Sequence, residues 1–384
     1  MTILWMTWGI SCALWLIVFF RLRFFERHIP SLDSTSELPE PRGGWPFISV
    51  IVPARNEEAI VGECLAALAA QDYPGYEIIF INDQSTDSTL AVAEAALKDC
   101  RFGRVIDGAP PPAGETWVGK SWALMQGVRE ANGDWLLFID ADVVHHPLTL
   151  RKAIAKATEL GVDALSMFPT IHCRSFWEKM IMPLFATLSV LVEPLDDASH
   201  PGRRAARLCG AFILIRRGIY ESAGTHAAVH DQILEDMALA RILKRQGRRT
   251  WLTYTRDLGH TRMYEHFREL WHGLSRLSLP LLRYSIPLLI FAWVAAVVGT
   301  LVPWIATAAG LVRLDWPLAG AGIALCVLTR RAIQPVFTVV RTQPGYAWLL
   351  PLAAVLYCLA ATRAAFRHFT GRGLAWKGQA YGVS

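Results

Sequence analysis

The stretch WLLFIDADVV, residues Trp135 to Val144, joins an apolar run of strand length to two carboxylates one residue apart. Five apolar residues in succession are typical of a strand that is buried on both faces. Asp140 and Asp142 follow the run, and residues i and i+2 of an extended chain point to the same side. The stretch therefore predicts a buried strand that brings two negative charges to one edge of a core, where a cation must neutralise them.

Similar apolar runs recur along the chain and alternate with helix-like segments. The apolar runs include FISVIVPA, YEIIFIND, DALSMFP and CGAFILIRR, and the amphipathic segments include EEAIVGECLAALAAQ, STLAVAEAALK and DQILEDMALARILKRQG. Short apolar strands that alternate with amphipathic helices predict an α/β sheet covered by helices on both faces. Such sheets bind ligands at the carboxyl ends of their strands, where the two aspartates are expected.

The composition divides the chain of 384 residues into a lipid-facing part and a sheet-forming part. Hydrophobic residues make up 53% and charged residues only 18%, which favours a membrane protein. The predicted order is an N-terminal transmembrane anchor at 1–24, a linker at 25–44, an α/β catalytic domain at 45–279, C-terminal membrane segments at 280–370 and a tail at 371–384. Within the catalytic domain, the apolar stretch at about 175–195 predicts an interfacial helix, with a buried core helix as the alternative.

Positive charge beside the apolar stretches predicts the orientation. Arg21, Arg23 and Arg27 follow the first apolar run, so we expect the catalytic domain and the tail on the cytoplasmic side of a bacterial-type inner membrane. Arginines also flank both ends of the last apolar segment, which is therefore expected to bend back at Pro351 or lie along the interface instead of crossing, with a plain fourth crossing as the alternative. The net charge of +5 lies mostly beside apolar stretches and does not indicate a nucleic-acid partner. The apolar segments lack the acidic residues that mark ion pathways, which disfavours a transporter.

Acidic residues occur at three places where such a sheet would present them to a ligand. They are Asn82-Asp83 and the pair Asp140 and Asp142 at strand ends, and Glu235-Asp236 in a helix expected to start near Asp231. Mg²⁺ and Mn²⁺ prefer such oxygen ligands and keep coordination positions open for a diphosphate. The sequence predicts a site for one of these cations and a diphosphate.

Four motifs resemble those of family 2 glycosyltransferases of the GT-A fold. They are ISVIVPARNEE, INDQSTDST, GKSWALMQGVREANGDWLLFIDADV and ILEDMALARILKRQG, in the order and at roughly the spacing of that family. The resemblance covers about residues 47–276 and implies a Rossmann-like mixed sheet with helices on both faces. The membrane segments and the closing WKGQAY look like the branch that glycosylates lipids, which includes carotenoid-type and hopanoid-associated enzymes, with ceramide glucosyltransferases more distant.

The resemblance also implies roles for individual residues. The residues that would bind the nucleotide sugar are Pro53, Arg55, Glu57 and, through the base, Asp83. Asp140 and Asp142 match the DxD pair that binds the cation and the donor, and Asp236 matches the catalytic base.

Lys120 and Glu235 are further candidates. Lys120 opens a predicted helix, where it would meet a donor phosphate together with helix amides. An exposed lysine at a helix cap is the alternative. Adjacent residues of a helix do not share a face, so one of Glu235 and Asp236 would reach the site and the other would brace it.

The segment WHGLSRL departs from the pattern of related families. Gly273 and Leu277 stand where processive and ceramide-type members have a polar residue and a tryptophan, although Arg276 remains. The departure favours a single transfer over polymer synthesis. His260 and His272 are possible contacts of the metal or the diphosphate, with a structural role as the alternative.

These features predict a membrane-bound, metal-dependent, inverting and non-processive glycosyltransferase. It would move one sugar from a nucleoside-diphosphate sugar, expected to be a UDP-sugar, to a lipid hydroxyl. The alternatives are a non-catalytic membrane scaffold that binds a nucleotide sugar and a polyprenyl-phosphate glycosyltransferase. No motif encodes the sugar or the lipid.

Overall fold

The computed structural model describes residues 1–29, 31–35, 40–192, 199, 205–282, 284–370, 374–376 and 379–381. The chain forms two compact units. The sheet unit comprises Ile29–Thr170 and Glu193–Arg262, and the helical unit comprises Met1–His28, Ile171–Val192 and Met263–Ser384.

The regular elements of both units are numbered in chain order. The strands are β1 (Ile48–Ala54), β2 (Tyr76–Asn82), β3 (Gly103–Asp107), β4 (Trp135–Ile139), β5 (Val143–His145), β6 (Ala164–Phe168), β7 (Thr170–Ile171), β8 (Phe212–Arg216), β9 (Thr250–Tyr254), β10 (Gly259–Thr261), β11 (Leu374–Trp376) and β12 (Gln379–Tyr381). The α-helices are α1 (Thr2–His28), α2 (Val61–Ala69), α3 (Thr89–Leu97), α4 (Gly119–Glu130), α5 (Thr149–Leu160), α6 (Phe176–Val192), α7 (Arg217–Ser222), α8 (Glu235–Arg245), α9 (Phe267–Leu281), α10 (Ile286–Ala296), α11 (Val302–Arg313), α12 (Trp316–Val339) and α13 (Leu350–Phe369). Three 3₁₀ helices cover Leu32–Ser34, His226–Val229 and Pro344–Leu349, and a π-helical turn covers Val297–Leu301.

The described part of the sheet unit contains a seven-stranded mixed sheet in the order β3-β2-β1-β4-β8-β6-β9. The strands from β3 to β4 are parallel, β8 runs antiparallel to β4 and β6, and β9 is parallel to β6. The predicted mixed α/β sheet is confirmed.

Alternate side chains of the central strands enter two separate cores. Val50 and Val52 of β1 pack in a core with Leu65 of α2. Ile51 packs in the other core with Leu124 of α4. Because both faces are covered, the middle positions of these strands are apolar on both faces instead of alternating.

The parallel strands β1, β2 and β4 end at the same edge of the sheet. Arg55 follows β1, Asp83 follows β2 and Asp140 follows β4. The sheet topology thus gathers residues that are far apart in sequence, as the sequence analysis predicted.

Among the described residues of the helical unit, four helical segments are long and apolar enough to cross a membrane. They are Thr2–His28, Ile286–Arg313, Trp316–Val339 and Pro344–Phe369. The expected bend at Pro351 is not found, because this proline lies in the first turn of α13, where its missing N–H leaves no helical hydrogen bond unmade. Whether this last segment crosses the membrane stays a prediction.

Helix α6 covers most of the stretch for which an interfacial helix is predicted, and residues 193–195 lie outside the described residues. It packs against α9, α12 and α13 within the helical unit. At its start, the ring of Trp177 lies 4.5 Å from that of Phe267, and the ring of Phe176 lies 6.0 Å from that of Tyr346. Its location at the membrane interface stays a prediction.

A buried carboxylate joins the sheet strands at the edge opposite the aspartates. Glu77 of β2 accepts hydrogen bonds from Ser49 Oγ of β1 at 2.7 Å and from the backbone N–H of Asn132 at 2.7 Å, and it pairs with Arg104 of β3. Burial alone would raise the pKa of Glu77, but these hydrogen bonds outweigh it and hold the pKa below its usual value. The ionised carboxylate therefore stabilises the fold.

We expect Glu77→Gln to lower the free energy of unfolding by about 1.5–3 kcal/mol, the usual contribution of a hydrogen bond to a charged group. Chemical denaturation of the full-length chain in detergent measures it. Because the folded-state pKa is depressed, the difference from wild type should be full above about pH 4.3 and shrink as the pH falls further. Glu94→Gln, on the exposed face of α3, is the matched control. If Glu77→Gln and Glu94→Gln lowered the free energy of unfolding equally, the stabilising role of the Glu77 carboxylate would be contradicted.

Candidate active site

An ammonium group lies between two carboxylates at the carboxyl edge of the sheet. Lys120 Nζ is 2.7 Å from Asp140 Oδ1 and 2.8 Å from Glu235 Oε1. Burial alone would lower the pKa of Lys120, but the charges of Asp140 and Glu235 outweigh it and raise the pKa well above its usual value. Lys120 is therefore a permanent cation that joins the end of β4 to the start of α8. It is not the exposed cap that was the alternative from sequence.

A backbone contact brings these elements together. The N–H of Val118, just before α4, donates to the carbonyl of His230, in the segment that leads to α8, at 2.7 Å. The ring of Trp117 lies 5.3 Å from that of His230. The segments that precede α4 and α8, the helices of Lys120 and Glu235, are thus joined by a hydrogen bond and a ring contact.

Asp236 is held by two backbone amides. The N–H of Gly210 donates to Oδ2 at 2.9 Å, and the N–H of Met237 donates to Oδ1 at 2.7 Å. Burial raises the pKa of Asp236 to about 6, and the negative charge of Glu235 adds to the effect, while Lys120 and the two amides oppose it. A carboxylate that is oriented through both oxygens and titrates near neutrality is suited to accept a proton.

The expectation that this helix begins near Asp231 was wrong. Helix α8 begins at Glu235, because Leu234 has a non-helical backbone, with φ −105° and ψ 67°. Glu235 and Asp236 consequently occupy the first turn, where the helix dipole favours negative charge. Glu235 contacts Lys120 and Asp236 contacts the amides, so the two acids have different partners, as expected.

Gly210 belongs to the site, and the sequence analysis missed it. A Cβ atom at this position would lie 2.8 Å from Lys120 Nζ and 3.5 Å from Asp236 Oδ2. A side chain here would require the Lys120 ammonium to move, whereas the distance to Asp236 is an ordinary van der Waals contact. The signal in the sequence was a glycine immediately before an apolar strand, in CGAFILIRR.

Asp142 lies on the side of the DxD turn that faces β10. Thr261 Oγ1 donates to Asp142 Oδ2 at 3.0 Å, a contact that the sequence analysis also missed. Its basis is the antiparallel pairing of β5 with β10, which sets Thr261 opposite Val143. Burial and then the charges of Asp140 and Glu57 raise the pKa of Asp142 to about 7.

This concentration of negative charge fits a divalent cation that is shared with a second ligand. Among the described residues, no group of three or more His, Cys, Asp or Glu side chains is arranged to hold a metal by itself. Mg²⁺ commonly binds one or two carboxylates together with phosphate oxygens and water. Asp140 and Asp142 would supply the protein oxygens of such a site.

The residues predicted to bind the nucleotide lie at the ends of β1 and β2. Asp83 is buried, and its backbone N–H donates to the carbonyl of Ala54 at 2.8 Å. Arg55 Nη1 donates to the carbonyl of Asp83 at 3.2 Å and lies 3.9 Å from its Oδ2. Pro53 is in β1, and the N–H of Glu57 donates to Thr89 Oγ1 at 2.7 Å. The four candidates are thus neighbours at one sheet edge.

Asn82 stands where the family often has another aspartate. Its Nδ2 donates to Asp107 Oδ1 of β3 at 2.7 Å. The Asn82 side chain therefore joins β2 to the neighbouring strand β3.

The remaining candidates have different positions. His260 of β10 pairs with Val144 of β5, and burial, together with the charge of His260, lowers the pKa of His145 to about 3. Arg276 and His272 lie on α9 in the helical unit, so a contact of either with the cation or the diphosphate stays a prediction.

A Cβ atom at Gly273 would collide with the ring of Tyr264, which explains why a glycine occupies this position.

The sequence of the sheet unit is similar to known glycosyltransferases. Residues 49–224 match the model of glycosyl transferase family 2. The chain is 28% identical over 193 residues to 4,4'-diaponeurosporenoate glycosyltransferase of Staphylococcus aureus (strain MRSA252), and the match covers 50% of each protein. It is 27% identical over the same length to the corresponding protein of strain USA300. The chain thus spans about half the length of the curated relatives it matches.

A solved structure shares the fold. The mannosyltransferase PcManGT of Pyrobaculum calidifontis, solved in complex with GDP-Man and Mn²⁺, is 18% identical with a TM-score of 0.53. The alignment covers 93% of this chain and 98% of that one. The expected GT-A fold is confirmed.

We expect the bridge through Lys120 to appear as a coupling between Lys120 and Glu235. Lys120→Met leaves the buried Glu235 carboxylate without its cation and should destabilise the chain, whereas Lys120→Met/Glu235→Gln removes both charges and should recover part of the loss. Denaturation of the full-length variants in detergent should give a coupling energy of about 1–3 kcal/mol. Lys98→Met and Glu94→Gln change an exposed i,i+4 pair formed by a residue of α3 and its C-cap, and they should couple by less than about 0.5 kcal/mol. Additive effects at Lys120 and Glu235 would contradict the bridge.

Proposed function

We propose that this chain, whose residues 49–224 are a family 2 glycosyltransferase domain, transfers one sugar from a UDP-sugar to the hydroxyl of a membrane lipid. The observation that supports this most strongly is the arrangement at one sheet edge of a cation-binding carboxylate pair, Asp140 and Asp142, beside an oriented base, Asp236. A sugar transfer from a nucleoside diphosphate needs both groups.

The donor would bind across the ends of β1, β2 and β4. Asp83 would accept a hydrogen bond from the base, and Pro53, Arg55 and Glu57 would line the same pocket. When the donor and its cation occupy Asp140, Lys120 would exchange its contact with Asp140 for one with the diphosphate and keep its contact with Glu235. The cation, Mg²⁺ or Mn²⁺, would be held by Asp140 and Asp142, and it supplies Lewis-acid stabilisation of the charge on the leaving diphosphate.

Asp236 would act as the general base. The acceptor oxygen forms a bond to the anomeric carbon while the bond from that carbon to the diphosphate oxygen breaks. The proton of the acceptor hydroxyl goes to Asp236, and the nucleoside diphosphate leaves with the electron pair. A single displacement of this kind inverts the configuration at the anomeric carbon. Lys120 and the Gly210 amide position Asp236 and Glu235 for this step.

Two comparisons support the choice of ligands. The mannosyltransferase of Pyrobaculum calidifontis was solved with a nucleotide sugar and Mn²⁺. The name of the relative from Staphylococcus aureus describes glycosylation of a carotenoid acid. Together with four apolar helices, they favour a lipid acceptor, a membrane location and a catalytic unit on the cytoplasmic side, where nucleotide sugars are made.

We expect Asp236→Asn to lower the transfer rate by a factor on the order of 10² to 10⁴, the usual contribution of a general base, without weakening donor binding. Radiolabelled UDP-sugar, membrane lipid and the purified full-length chain give the rate, and titration calorimetry gives donor affinity. Because the base must be ionised, the wild-type rate should fall as the pH falls through about 6. Asp231→Asn, an exposed acid just before the helix, is the control. Lost donor binding in Asp236→Asn would instead make Asp236 a donor ligand.

We expect Asp142→Asn to abolish the Mn²⁺ dependence of donor binding, because it removes a charged oxygen from the cation site. Calorimetric titration of UDP with and without Mn²⁺ measures it. Asp134→Asn, on the exposed side of the turn before β4, should retain the dependence. A variant at Asp142 with wild-type Mn²⁺ dependence would rule out the DxD assignment.

A further inference from the structure

Four basic residues lie on helices α9 and α13, which pack against each other within the helical unit. Arg268 and His272 lie four residues apart on α9, and Arg363 and Arg367 lie four residues apart on α13, so each pair shares one helix face. Burial and the charges of Arg363, Arg268 and Arg367 lower the pKa of His272, which places all three guanidinium groups near this ring. We call these four residues the basic cluster.

Three members of the basic cluster lack a carboxylate partner. In the part of the chain that the structure describes, Arg268, His272 and Arg363 form no ion pair with a carboxylate. Arg268, His272 and Arg363 are also exposed. Like charges at this spacing repel one another, so an anion from outside the chain would stabilise the arrangement.

The position of the basic cluster indicates the source of the anion. Arg363 and Arg367 lie in the last two turns of α13, the end of a segment apolar enough to cross a membrane. The side chains of Phe366 and Phe369, in the same two turns, are 60% and 55% exposed. Exposed aromatic residues next to arginines at the end of an apolar helix are typical of the level of lipid headgroups.

We propose that the basic cluster, Arg268, His272, Arg363 and Arg367, binds the phosphate of an anionic phospholipid. Guanidinium groups match phosphate oxygens with paired N–H donors, and basic pockets between membrane helices bind anionic headgroups. His272 is also a candidate contact of the diphosphate, whereas Arg268, Arg363 and Arg367 are not assigned to the donor site. The variant Arg268→Gln/Arg363→Gln therefore tests the headgroup site without changing a candidate residue of the proposed sugar transfer.

The test compares lipids and variants in one assay. Full-length protein is delipidated in dodecyl maltoside, and its melting temperature is measured while dioleoylphosphatidylglycerol or dioleoylphosphatidylcholine is added. We expect the phosphatidylglycerol alone to raise the melting temperature saturably. In Arg268→Gln/Arg363→Gln, half-saturation should need roughly 30-fold more of this lipid, because each arginine contributes about 1 kcal/mol near an anionic surface. High salt should weaken the wild-type response.

Arg313→Gln/Arg331→Gln is the matched control, since it removes two exposed arginines of the same unit outside the basic cluster. It should respond to phosphatidylglycerol as wild type does. An equal response to phosphatidylcholine, or equal responses of the two double variants, would overturn the proposal. Inorganic phosphate and UDP are added separately to test for a soluble ligand. If either one raises the melting temperature of wild type but not that of Arg268→Gln/Arg363→Gln, the basic cluster binds a free phosphate, and the lipid assignment is overturned.

Discussion

The contact of the Lys120 ammonium with Asp140 and Glu235 is the interaction on which the candidate site depends. The sheet edge gathers Asp140, Asp142, Glu235 and Asp236 in a partly buried place, where unpaired carboxylates would be costly. One lysine pairs with two of them and fixes the start of α8 against the end of β4. Its single positive charge leaves an excess of negative charge, which together with burial raises the pKa of Asp142 and makes the edge suited to a cation and a diphosphate.

The general form of the fold and the site was predictable from sequence because both depend on local patterns. Strands buried on both faces have long apolar runs, so the ends of these runs, and with them Asp83 and Asp140, could be recognised in the sequence as the points where polar residues follow. The contributions of Gly210 and Thr261 were not visible. The first depends on a close approach of backbone to side chains, and the second on the pairing of β5 with β10, which is distant in sequence. Neither leaves a periodic pattern.

The residues proposed to bind the donor and the segments proposed to meet lipid lie mostly in different units. The sheet unit contains every candidate for donor binding and proton transfer except Arg276 and His272, and the helical unit contains the segments apolar enough to meet lipid. Within the helical unit, the π-helical turn at Val297–Leu301 turns the carbonyl of Gly299 toward α1, where Trp15 Nε1 donates to it at 2.6 Å. A polar contact of this kind joins apolar helices where hydrophobic burial alone gives little driving force.

The central claim is that Asp140 and Asp142 hold a divalent cation together with a nucleoside diphosphate. Electron–nuclear double resonance of Mn²⁺ bound to the full-length chain in the presence of UDP tests it most directly, because coupling to ³¹P requires the metal and the phosphate to be in contact. We expect a ³¹P coupling in wild type that is absent from Asp140→Asn/Asp142→Asn. A coupling that persists in that variant, or Mn²⁺ bound to wild type without contact to phosphate, would contradict the account.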